Sequence, residues 1–139
     1  MFKRILVAND GSDGGFKAFA FACDLAKHHR ASLYMISVEE LPSFPASIDE
    51  VIETKDVENH KFHDVLTKVR AMARRKKIKL VAEVIAGHAA SAIVAHAKRT
   101  KADLLIVGFT GHSALYEHLI GGTADRLVRL APCPVLVVK

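Results

Sequence analysis

The chain has 139 residues, 50% of them hydrophobic and 25% charged, a length and balance that suit one folded domain and exclude a disordered chain or a two-domain arrangement. Its formal charge of +5 suits an anionic ligand, but the cations bunch in ARRKKIK (73–79), a solvated helix end that favours the helix dipole and argues against nucleic acid as a partner. The basic start leads into too short an apolar run for a signal peptide, and no stretch approaches the ~18 apolar residues of a membrane span, so a cytoplasmic protein without membrane association is expected.

Residues 2–8 (FKRILVA) end in an apolar run stopped by NDGSDGG, the pattern of a buried strand followed by a tight loop. Phe16, Phe19, Ala20, Cys23 and Ala26 then recur at helical spacing, with Ser12 or Asp13 placed to cap the helix. A second strand is expected over 32–38 (SLYMISV). The following EELPSFPAS carries two prolines and no periodicity, which marks a loop. From 49 to about 77, Val51, Ile52, Phe62, Val65, Leu66, Val69, Met72 and Ala73 follow a period near 3.6, giving one long helix or a short one leading into a long one. A third strand over 79–85 follows, then a helix over 89–99 with Ile93, Val94 and Ala97 inward, and a fourth strand over 103–107 (DLLIV). The last helix, 123–130, is stopped by Pro132 and Pro134, and 135–138 forms strand five.

Alternation of strands and helices predicts an α/β fold: an open five-stranded parallel sheet with helices on both faces. The continuous apolar runs ILVA, LLIV and VLVV agree, because parallel strands are buried on both sides. Ligands of such sheets bind beyond the carboxyl ends of the strands, where strand order reverses. Two loops lie at that edge: 9–15 after strand one and 108–122 after strand four. In the second, Gly108 and Gly111 follow the strand, and Gly121 and Gly122 precede a helix. Backbone amides of such a loop can face an anion, helped by the positive end of the helix. Read without further context, such glycines are more often turn punctuation than a phosphate site, and Asp10 serves equally as a turn or capping carboxylate. No G-x-x-x-x-G-K-[ST] loop is present, and NDGSDGG lacks the G-x-G-x-x-G spacing.

Gly108-x-x-Gly111, nine residues and Gly121 resemble the G-x-x-G-x9-G-[S/T] nucleotide motif of the universal stress protein family. ILVANDGSDGG, ADLLIVGFTGH and TADRLVRLAPCPVLVVK accompany it, so that the resemblance spans the chain and is weakest over 39–77. It implies that family's fold over 1–139 as a single domain, and a site for ATP or a related adenine nucleotide (AMP or ADP), with Mg²⁺ as a companion ion. Carried over position by position, Asp10 and Val38 hold the adenine and ribose side, Ala8 and Asn9 line the same pocket, and Gly108, Gly111, Gly121, Gly122 and Thr123 surround ribose and phosphates. His112, within the loop, lies in reach of a phosphate. One departure stands out: Gly122 occupies the place of the usual Ser or Thr, and the hydroxyl is displaced to Thr123. A lost hydrogen bond to a charged group costs about 1.5–3 kcal/mol. The resemblance also implies a homodimer through the C-terminal strand, an edge that needs cover, and a stress or signalling role with an unidentified protein partner.

Other chemistries find less support. Cys23 and Cys133 form no C-x-x-C pair or metal-ligand spacing, and Cys133 between two prolines suits packing. His60 and His63 share a helix face and His112 and His118 flank the glycine loop, without the further carboxylate or thiolate a metal site needs. Hydrolysis wants a positioned base, a metal and a cation. Asp10, Asp13, Glu117 and Asp125 are available, but sequence places no second group beside any of them, so turnover is expected to be slow or absent. A receiver domain needs an aspartate ending strand three, where Glu83, Val84, Ile85 and Ala86 stand. The rival to a nucleotide binder is a dimeric interaction module whose glycines only shape turns.

Overall fold

The computed structural model describes residues 1–40, 48–109 and 122–139, with side chains described outside 48–59. The elements run β1 (Arg4–Ala8), α1 (Asp13–His29), β2 (Ser32–Glu40), α2 (Ile48–Arg75), β3 (Leu80–Gly87), α3 (Ala89–Thr100), β4 (Leu104–Gly108), α4 (Gly122–Leu130) and β5 (Val135–Val138). All pairings are parallel, in the order β3-β2-β1-β4-β5. Strand order therefore reverses between β1 and β4. The expected α/β architecture with five parallel strands is the one observed.

Alternation along the central strands divides the core in two. Ile5 and Val7 of β1, Leu33 and Met35 of β2, and Leu104 and Ile106 of β4 face α1 and α2, where they pack against Phe19, Cys23, Val65 and Val69. Leu6, Ala8, Ile36, Leu105 and Val107 face α3 and α4, against Ile93, Ala97, Ala124 and Leu127. A strand buried on both faces must be apolar at every position, which is why β1 and β4 lack polar alternation. The buried stripe of α1 is Ala18, Phe19, Ala22, Cys23 and Ala26. Ala20, expected to face inward, lies beside the stripe and is only partly buried. Ser12 caps α1 by accepting the Gly15 amide, and Arg30 ends it in the left-handed conformation.

The main departures from expectation lie at strand ends. β2 runs on to Glu40 and β3 to Gly87, because Glu39 and Glu40 pair with Ala86 and Gly87. Backbone pairing sustains these ends although Glu39 and Glu40 bring no apolar side chains. Gly108, expected in the loop, is the last residue of β4, in register with Val138. α2 is one continuous helix. Most of the loop expected at 39–47 lies outside the described residues.

On the α3 face, His96 is 3% exposed at a position without an apolar signal. Its Nδ1 lies 2.6 Å from Arg99 Nη2, which donates to an unprotonated ring nitrogen, and 3.6 Å from Glu83 Oε2. Burial pushes the His96 pKa down despite the pull of Glu83, and Arg99 adds to the shift. The unfolded chain thus takes up the proton more readily. Stability from His96 is complete above the unfolded value of about 6.5 and is lost as pH falls below it towards the folded pKa. Urea midpoints measured at about pH 7.5 and 5.5 should therefore drop on acidification in the wild type, and the drop should shrink in His96→Gln. An equal drop in both would remove His96 as the cause.

Candidate functional site

The reversal of strand order sets the carboxyl ends of β1 and β4 side by side, with α1 and α4 both starting at that edge. The loop leaving β1 is held by its own side chains. Asn9, 1% exposed, accepts the Gly11 amide at Oδ1 (2.9 Å). Its backbone amide donates to Ile36 O of β2 (3.0 Å), and its carbonyl accepts the Ser37 hydroxyl (2.6 Å). Asp10 Oδ1 accepts both the amide and the hydroxyl of Ser12, while Ser12 Oγ accepts the Gly15 amide at 3.1 Å. Side-chain oxygens thus replace the missing partners of the first helical amides.

Three glycines make this packing possible. Gly11 has φ +83°, open to glycine at little cost. A Cβ on Gly15 would fall 2.3 Å from Asn9 Oδ1, and one on Gly108 would fall 2.8 Å from the Gly14 carbonyl oxygen. The end of β4 therefore touches the first turn of α1 backbone to backbone. Gly122, the first residue of α4, is different: it is exposed, and a Cβ there meets no described atom within 4 Å. Thr123 follows it, partly buried, in the first turn.

The geometry sorts the residues expected in the site. Ala8, Asn9 and Asp10 end β1 and begin its loop, with Ala8 and Asn9 buried and Asp10 partly buried. Val38 lies near the end of β2, paired with Ile85 and packed on the α3 face. Gly108 joins the group at the end of β4, and Gly122 and Thr123 begin α4. Gly111, His112 and Gly121 lie outside the described residues, as do Glu117 and His118. Asp125, a candidate for hydrolytic chemistry, sits 3.7 Å from Arg129 one turn on in α4. Among the described residues no three of His, Cys, Asp and Glu gather as metal ligands, and no helix is long and apolar enough to cross a membrane.

Two contributors escape sequence reasoning. Ser37, fully buried in an apolar strand, anchors the loop through Asn9, and nothing in SLYMISV sets it apart from Ser32 and Tyr34. Lys61 of α2 brings its side chain alongside Gly11, where a Cβ would meet Lys61 Cε at 3.3 Å. No local pattern links residues 50 positions apart.

A model of the universal stress protein family matches residues 1–139. The chain belongs to the universal stress protein family. A universal stress protein of Methanocaldococcus jannaschii is 35% identical over 147 aligned residues, covering all of this chain and 83% of the relative. Among solved structures, the universal stress protein UspA of Lactobacillus plantarum superposes with a TM-score of 0.87 at 25% identity, covering 99% of this chain and 97% of that one. A universal stress protein in complex with cAMP superposes with a TM-score of 0.77, also at 25% identity and with the same coverage of both chains.

The glycines of this universal stress protein edge should separate in a stability series. Gly15→Ala and Gly108→Ala force overpacking and should each cost about 1–3 kcal/mol. Gly122→Ala, at the first residue of a helix, meets no described atom within 4 Å and should be neutral or stabilising by up to about 1 kcal/mol. Urea unfolding of the three variants tests this, and a wild-type midpoint for Gly108→Ala would contradict the close approach to Gly14.

Proposed function

We propose that the chain binds an adenine nucleotide at the carboxyl edge between β1 and β4, and that its bound or empty state, rather than turnover, is its output. The observation that carries this reading is the pairing of two helix N-termini at the point where strand order reverses, in a family with a member crystallised with cAMP. The start of α4 adds support, since exposed Gly122 leaves its first-turn amides clear of any side chain of its own. In this reading Asp10 and Val38 border adenine and ribose over a floor shaped by Ala8 and Asn9. Gly108 fixes where the second loop begins, and Gly111, His112, Gly121, Gly122 and Thr123 attend the phosphates. Mg²⁺, where it accompanies ATP, is held chiefly by phosphate oxygens and water.

Asp10 serves the loop through both bonds to Ser12, and Asp125 has a cation nearby. Neither arrangement favours a base poised for water, so hydrolysis in this proposal is slow or absent. The whole chain acts as one cytoplasmic domain.

Calorimetric titration with ATP and AMP, with and without Mg²⁺, tests the site directly, alongside mass spectrometry of nucleotide extracted from fresh protein. Gly111→Val should abolish binding and leave unfolding unchanged. Gly122→Ser restores the displaced hydroxyl at a position where a Cβ meets no described atom within 4 Å and should tighten ATP binding by about tenfold or more. Absence of both heat and extracted nucleotide would favour the interaction module without nucleotide.

The proposal includes a homodimer through β5. That strand lies at a sheet edge and is only half-buried at each residue, and Val128 and Leu130 of the preceding helix are 54% and 59% exposed. An open strand edge flanked by apolar side chains favours pairing with a second copy. Sedimentation at micromolar concentration should give the mass of two chains, and a single-chain mass would overturn this part.

A further inference from the structure

The opposite, amino edge of the sheet carries a cleft of about 460 Å³, where the last turns of α1 and α2 meet the first residues of β2 and β3. It is lined by Lys27, Arg30, Lys77 and Lys79, with Tyr34 and Ile78 among its less polar walls. The volume falls in the range of small-molecule sites. We propose that this cleft binds a small anion carrying two or more phosphoryl groups, independently of the nucleotide reading for the carboxyl edge.

Three observations support this. The first is uncompensated charge: four cations line one cleft, and none makes an ion pair with a described carboxylate. The nearby carboxylate of Asp24 is already paired with Lys76, which is not among the lining residues. The second concerns the helix ends, whose carbonyls would otherwise repel an anion. They are closed by the chain itself, since Arg30 and Ala31 amides donate to Lys27 and Ala26 carbonyls, and Lys77 and Ile78 amides to those of Arg74 and Ala73. The third is conformational. Arg30 and Lys77 both hold positive φ, 55° and 57°, at positions where glycine is the less strained choice. Cations therefore stand at two strained positions facing the same cleft. Like charges so close repel one another, and a multivalent anion relieves that repulsion.

The lining favours a small ligand over a nucleic acid, because among the described lining residues Tyr34 is the one aromatic and it packs on the α3 face of the sheet, where single-stranded chains need a series of rings for stacking. Two sources supply the chemistry: an inorganic phosphate chain, or an organic molecule with two phosphate esters whose carbon body lies along Ala31 and Ile78. Tripolyphosphate and fructose 1,6-bisphosphate are suitable probes for the two.

Arg30→Gly/Lys77→Gly makes a clean test, since glycine accepts positive φ and both caps should survive. The matched control is Lys98→Gln/Lys101→Gly, which removes two cations from the end of α3, with Lys101 also at positive φ (54°). In calorimetric titrations at about 0.15 M salt, at least one probe should bind the wild type, and the tighter of the two identifies the source. Binding should weaken by about tenfold or more in Arg30→Gly/Lys77→Gly and by less than about twofold in the control. Failure of both probes to bind, full binding by the cleft variant, or equal losses in both variants would each overturn the proposal. AMP titration separates this outcome from the carboxyl-edge reading, because cleft substitutions should leave AMP affinity unchanged.

Discussion

The contact between Gly108 and Gly14 is the constraint around which the carboxyl edge is arranged. A side chain at Gly108 would sit within 3 Å of the Gly14 backbone, so β4 and the first turn of α1 approach as closely as they do only without one. That approach fixes the direction in which α1 leaves β1. The same turn is pinned from the other side by Asn9 and Ser12, whose oxygens take the amides of Gly11 and Gly15. Asn9 is in turn tied to β2 through Ile36 and Ser37. Three strands and one helix are thereby referred to a few buried polar atoms, each satisfied. A buried polar network of this kind defines geometry well because every unmade bond is costly.

Parallel topology also sorts charge. Every helix that returns from one parallel strand to the next begins at the carboxyl edge and ends at the amino edge. Amide donors of the first turns and cations of the last turns are thus collected at opposite ends of the molecule. Lys27 and Arg30 end α1, Arg74 and Arg75 end α2, and Lys98 and Arg99 end α3. Each suits its own helix dipole locally, but their sum is a basic amino edge that no single helix accounts for. The carboxyl edge instead combines helix N-termini with glycines. The two edges invite different anion chemistry, backbone amides at one and cationic side chains at the other.

His96 illustrates how such a fold tolerates a polar core residue. Its ring is kept neutral by burial, and the unprotonated nitrogen is used as an acceptor for Arg99. Glu83 of β3 and Arg99 of α3 join it across the layer. The helical period around Ile93 and Ala97 identifies the inward face of α3, but it does not single out a histidine as part of it. That required knowing that Glu83 and Arg99 reach the same place.

Fold class, the number of strands and their succession along the chain, a cap at Ser12 or Asp13 and the family's glycine spacing are all determined by the sequence alone, because each depends on local periodicity, capping chemistry or fixed spacing. NDGSDGG announces a tight turn, and GFTGHSALYEHLIGG announces a glycine-rich one. Tertiary structure alone decides what the individual glycines do. Gly15 and Gly108 are demanded by packing partners elsewhere in the chain, Gly11 by its dihedral angle, whereas Gly122 has no described neighbour within side-chain reach. It likewise brings Lys61 to Gly11, and Lys77 and Lys79 to Arg30. These neighbours are set by how helices settle across a sheet, a long-range property that no local pattern of residues encodes.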